Sequence, residues 1–156
     1  APRLDARFLR RESKRDAESR QLAFCREHEA GLLVLARYMQ VLSSEFLGEI
    51  ECPVINIHHS FLPSFAGAKP YHQAYQRGVK IIGATAHFVT DGLDEGPIIA
   101  QSTLPVDHTH NAADMALAGR DVEKSVLARA LRLVFEKNAF LVFDENIYAS
   151  REVLVS

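Results

Sequence analysis

Two short apolar runs set the tightest limit on what this chain can fold into. "LLVLA" (32–36) and "PVINI" (53–57) have strand length and almost no polar interruption. A strand with one wet face alternates apolar and polar residues, so an unbroken run suits a strand covered on both faces, as in a parallel sheet flanked by helices. The segments around them fit that plan. "SKRDAESRQLAFCREHE" (13–29) has helical composition and meets a stop at Gly31. "SSEFLGEI" (43–50) reads as a short helix capped by Ser43 or Ser44. "PYHQAYQRG" (70–78) reads as a helix with Pro70 in its first turn and Gly78 at its end. "KIIGATAHFVT" (80–90) and "PIIAQSTLPV" (97–106) read as strands joined by an acidic turn, "DGLDEG" (91–96). Over 111–136, Val122, Val126, Leu127, Ala130, Leu133 and Val134 recur at helical spacing. The tail (139–156) reads as a β-hairpin turning near 144–146. The expected fold class is α/β, a mostly parallel open sheet with flanking helices, in a single domain spanning 1–156.

Composition narrows the function classes. With 156 residues, 47% apolar and 24% charged, the chain can bury an ordinary core, and a net charge of −2 gives no field drawing it to nucleic acid or to a membrane. No apolar run reaches the length of about 20 residues that a membrane helix needs. The opening shows no secretory pattern, and Cys25 and Cys52 fit no metal or redox spacing. They read as reduced thiols, and a cytoplasmic location is expected. The densely charged opening, which starts at Ala1, reads as a solvated entry segment or as the edge of a longer protein.

The candidate chemistry begins in "VINIHHSFLPS" (54–64). In open α/β sheets ligands bind beyond the carboxyl ends of the strands, which is where Asn56 and His58 fall. Side chains two apart on a strand share a face, so these two groups converge. An amide N–H can stabilise a carbonyl oxygen that gains negative charge, and an imidazole can move a proton near neutral pH. The competing structural reading hydrogen-bonds both groups into loop 59–69. A second cluster, "HFVTDGLDEG" (87–96), holds His87, Asp91, Asp94 and Glu95. A carboxylate brought beside His58 would orient the ring and favour its charged form, or hold a water. The competing reading is a solvated turn. His58, His59, His72, His87 and Asp94, or the pair His108 and His110, can be imagined as zinc ligands, but the spacings match no familiar zinc pattern, and no metal is expected. The sequence also has no nucleophile elbow, no phosphate-binding glycine loop and no dinucleotide fingerprint.

Together these motifs resemble the formyltetrahydrofolate-dependent formyltransferase superfamily. "NIHHSFLPSFAGAKPYHQAYQRGVKIIGATAHFVTDGLDEGPIIAQ" (56–101) carries its pattern: Asn-x-His, then a Ser-x-Leu-Pro loop, then a His and an Asp in a later loop. Finer features are similar to its deformylase branch. These are His58–His59 where glycinamide ribonucleotide transformylases have His-Pro, "GAKPYHQAY" (67–75), "GATAHFVTDGLDEGPII" (83–99) and "LLVLARYMQVLSSEF" (32–46). The resemblance covers about 14–135. It implies a formyltransferase-like Rossmann-type fold and a hydrolase that converts 10-formyltetrahydrofolate to tetrahydrofolate and formate, supplying formate for purine synthesis. It also implies catalytic roles for Asn56, His58 and Asp94, with His87 in support. Met39, Gln40, Val41 and Leu42 would flank the pterin, and the Val89, Thr90, Asp91, Gly92 stretch would form the wall facing its amide edge. The folate is the substrate and no cofactor is implied. Relatives form homo-oligomers, so self-association is expected.

The chain departs from the family pattern at both ends. The regulatory ACT domain, the first strand of the catalytic fold and the loop after it have no counterpart here, so an N-terminally truncated domain is expected, with "LLVLA" lacking a neighbour. The tail also differs from the usual family ending. Two other readings therefore stay open: formyl transfer to an amine such as glycinamide ribonucleotide, and a non-catalytic folate-binding module.

Overall fold

The computed structural model describes residues 13–36, 38, 40–64 and 69–136. Eight elements follow one another in these residues: α1 (Lys14–Glu27), β1 (Leu33–Ala36), α2 (Ser44–Glu49), β2 (Val54–His58), α3 (Pro70–Gln76), β3 (Ile81–Phe88), β4 (Ile98–Pro105) and α4 (Ala112–Glu136). Local signals account for most of their ends. Ser13 caps α1 by accepting from Asp16 N, and Ser43 caps α2 by accepting from Phe46 N at 3.1 Å. Pro70 opens α3, and Gly78 just beyond it takes a positive φ of 63°. The expected tail hairpin lies outside the described residues.

The sheet runs in the order β1-β2-β3-β4. It is open and flanked by helices, but its pairing is mixed where a mostly parallel sheet was expected. β1 and β2 are parallel, whereas β2–β3 and β3–β4 are antiparallel. For β3 and β4 the reason lies in their connection. The acidic segment 89–97 is short enough to return the chain directly, and Phe88 N donates to Pro97 O at 2.9 Å to close it. Gly96 permits this closure, since a Cβ there would collide with the Phe88 carbonyl.

Helices cover both faces. Val126 and Ala130 of α4 pack with Ile57, Ala84, Ala86 and Ala100, joined by Val122, Leu127 and Leu133, so the helical periodicity marks the buried stripe. On the other face, Leu22 of α1, Leu42 and Phe46 pack over Val54, Leu33 and Leu35. A buried carboxylate joins the two helices of this layer: Glu18 accepts from Ser43 N at 3.0 Å and from Ser43 Oγ at 2.6 Å. β2 is buried along its whole length, as its apolar run predicts. β1 is not. Leu33 and Leu35 face the core, but Val34 and Ala36 are exposed. β1 is the edge of the described sheet, and α4 packs on β2, β3 and β4.

Candidate active site

Register builds the site. Directly opposed residues of paired strands share a face. Asn56 lies opposite His87, His58 opposite Thr85, and Thr85 opposite Gln101. The face that carries Val54 therefore continues toward the carboxyl end of β2 as a row of five polar side chains from three strands. Asn56, His58, Thr85 and His87 are all buried, and burial of that kind is costly without partners.

The partners come from the two loops that follow β2 and β3. Thr85 Oγ1 donates to Ser60 O at 2.8 Å and accepts from Leu62 N at 3.0 Å and from Gln101 Nε2 at 3.0 Å. Gln101 Nε2 also donates to Leu62 O at 3.0 Å, and Ser60 Oγ donates to Ser64 O at 2.7 Å. These bonds hold the chain after His58 against the sheet. From the other side, the acidic loop turns one carboxylate inward. Asp94 has a positive φ of 58°, in the left-handed region that costs a residue with a Cβ about 1–2 kcal/mol. Its side chain is nonetheless only 1% exposed. Asp94 Oδ2 lies 3.3 Å from His58 Nδ1, and Oδ1 lies 3.7 Å from His87 Nε2. His87 Nδ1 is 2.8 Å from the Phe88 carbonyl. A carbonyl can only accept, so Nδ1 carries the proton and Nε2 is the nitrogen turned to Asp94. Asn56 Nδ2 donates to Tyr38 O at 3.2 Å, which leaves its second N–H for another acceptor, while its buried Oδ1 has no hydrogen-bond partner among the described residues.

Asn56, His58, Asp94 and His87 are therefore brought together. A narrow cleft beside them is lined by Gln40, Val41 and Leu42 on one side and by Val89, Thr90, Gly92 and Asp94 on the other. Asp91 is exposed and does not line it, and Met39 lies outside the described residues. Leu35, Tyr38 and Leu93 also line the cleft and were not anticipated. Burial and the Glu18 charge push the Tyr38 phenol above its usual range. The cleft holds about 20 Å³, room for little more than one water. Thr85 and Gln101 were also missed. Their signal was the two-residue spacing of Thr85 and His87 within an apolar strand. Among the described residues no group of three or more His, Cys, Asp or Glu side chains is arranged to hold a metal ion, and no helix is long and apolar enough to cross a membrane.

Comparison with known proteins places this geometry in context. Residues 2–131 match the formyl transferase family. The formyltetrahydrofolate deformylase of Escherichia coli K12 is 58% identical over 120 residues, covering 77% of this chain and 43% of that protein. The Mycobacterium tuberculosis H37Rv deformylase is 53% identical over 139 residues, covering 85% and 44%. The crystal structure of a formyltetrahydrofolate deformylase from Pseudomonas syringae superposes with a TM-score of 0.77 at 53% identity, again over 85% and 44%. A glycinamide ribonucleotide transformylase from Symbiobacterium toebii superposes with a TM-score of 0.78 at 31% identity, over 89% and 64%. The chain spans less than half the length of the deformylases it matches. With a family match across most of its residues and a shared fold, the chain belongs to the formyl transferase family.

Proposed function

We propose that this chain carries the catalytic centre of a formyltetrahydrofolate deformylase, which hydrolyses 10-formyltetrahydrofolate to tetrahydrofolate and formate. The observation that carries the reading is the buried His58–Asp94 pair at 3.3 Å, set beside Asn56 on one face of the sheet. In this reading the free N–H of Asn56 receives the formyl oxygen as water adds to the formyl carbon. The tetrahedral oxygen gains charge there, and removing such a donor typically costs about 100- to 1,000-fold in rate. His58 takes a proton from the attacking water and returns one to the folate nitrogen as the C–N bond breaks. Formate and the secondary amine leave, so atoms and protons balance without a cofactor or metal. Asp94 orients the imidazole and opposes its positive charge, and its other carboxylate oxygen lies 3.7 Å from His87 Nε2. The pterin would lie between the 40–42 and 89–94 segments. Self-association and a cytoplasmic location belong to the same reading.

The choice of water over an amine rests on identity: 50–58% with the deformylases against 27–36% with the phosphoribosylglycinamide formyltransferases. Formate release from 10-formyltetrahydrofolate, with and without glycinamide ribonucleotide, tests it. Formate without the amine supports deformylation. Product only with the amine replaces it with formyl transfer. A folded chain that binds folate but releases nothing would make it a binding module.

A further inference from the structure

A second buried polar cluster adjoins the site through the residue after His58. Glu123, midway along α4, is buried, and Tyr71 of α3 donates its phenol hydrogen to Glu123 Oε1 at 2.8 Å. One turn before Glu123 the helix carries Gly119, and a Cβ there would collide with the Tyr71 phenol oxygen. A glycine is a poor residue for the interior of a 25-residue helix. Its absent side chain makes the space in which the phenol reaches the carboxylate. Two features of α4 thus converge on one hydroxyl. The Tyr71 ring in turn packs against His59, with centroids 5.7 Å apart and planes at 57°. His59 packs against His58, with centroids 5.3 Å apart and planes at 49°. Both lie in the range of favourable aromatic contacts.

We infer that Tyr71 and Glu123 are positioning residues for His58, acting through the His59 ring. The inference rests on the deformylase reading for its kinetic consequence but not for its geometry. Asp94 fixes one side of the His58 imidazole, and the stack His59–Tyr71–Glu123 buttresses the ring from α4. The phenol–carboxylate bond stops the Tyr71 ring from turning, the fixed ring limits His59, and His59 limits His58. None of these residues need touch the substrate.

Tyr71→Phe tests this, because it removes the hydroxyl and keeps the ring. The readouts are the imidazole nitrogen and carbon-bound proton resonances of His58 in labelled protein, with the signal identified by its loss in His58→Gln, and formate-release kinetics. We expect His58 signals to shift or broaden. We expect kcat to fall about five- to tenfold with KM for 10-formyltetrahydrofolate within about twofold, the split expected when orientation of a reacting group is lost. Glu123→Gln keeps an acceptor oxygen for the phenol and should stay near the parent, whereas Glu123→Leu should behave like Tyr71→Phe. His58 signals of Tyr71→Phe that superimpose on those of the parent would overturn the inference, as would an unchanged kcat. If the parent itself releases no formate, the proposed function fails while the resonance comparison still decides the positioning role. If Glu123→Leu does not fold, Tyr71→Phe and Glu123→Gln decide it.

Discussion

Thr85 Oγ1 uses its full hydrogen-bonding capacity in one place, donating to Ser60 O and accepting from Leu62 N and Gln101 Nε2. Thr85→Val keeps the shape and removes all three bonds. Gln101 retains its bond to Leu62 O, so the loss falls mainly on two backbone groups, Leu62 N–H and Ser60 C=O. Each buried group left without a partner costs about 1–3 kcal/mol. Taking the middle of that range for two groups, less a little for the added methyl, the variant should be less stable by about 3 kcal/mol. In a chain of this length that corresponds to a fall in Tm of about 6–12 °C. Thr85→Ser keeps the hydroxyl and loses one methyl, so its cost should be about 1 kcal/mol. Urea unfolding followed by circular dichroism, with parent and both variants side by side, measures the difference. Because Ser60 and Leu62 lie two and four residues after His58, the valine variant should also lose turnover below its melting range while the serine variant keeps it. A valine variant within about 1 kcal/mol of the parent would refute the argument. So would a serine variant as unstable as the valine, since the hydroxyl would then not be what holds the loop.

Asp94→Asn should retain folate binding and lose at least about 100-fold in formate release, because it keeps the shape but not the charge facing His58; near-normal turnover would remove Asp94 from the mechanism. Gly119→Ala should lower stability by about 2 kcal/mol in chemical denaturation even though alanine is the better helix former by about 1 kcal/mol, since the new methyl displaces the Tyr71 phenol; a stabilised variant would contradict that packing. Burial pushes the Cys25 and Cys52 thiols up from the free value, and Cys25 adds to the effect at Cys52. Their protonated forms are favoured in the folded state, so the stabilisation is intact below the free-thiol value and is lost as pH rises through the folded one. Thiol labelling of native protein at pH 8 should be slower than in urea, and equal rates would show that burial does not suppress the thiolates.

Much of this was legible in the sequence because it is local. The helix cap at Ser43, the proline opening α3 and the apolar stripe of α4 all depend on residues within a few positions of one another. The two-residue spacing of Asn56 and His58 likewise placed both on one face, since alternation along a strand is a property of the backbone. What the sequence left undecided depends on register and loop path. The antiparallel pairing of β3 determined that His87 lies opposite Asn56, and that Thr85 and Gln101 extend the polar row. The left-handed turn at Asp94 selected that carboxylate over the exposed Asp91 and Glu95. Tyr71 and Glu123, 52 residues apart, meet only because α3 and α4 pack on the same face, with a glycine left between them. A short segment encodes its own conformation and periodicity. Which polar groups share a water-free space is decided when distant segments pack, because only then does an unpaired buried group incur its full cost.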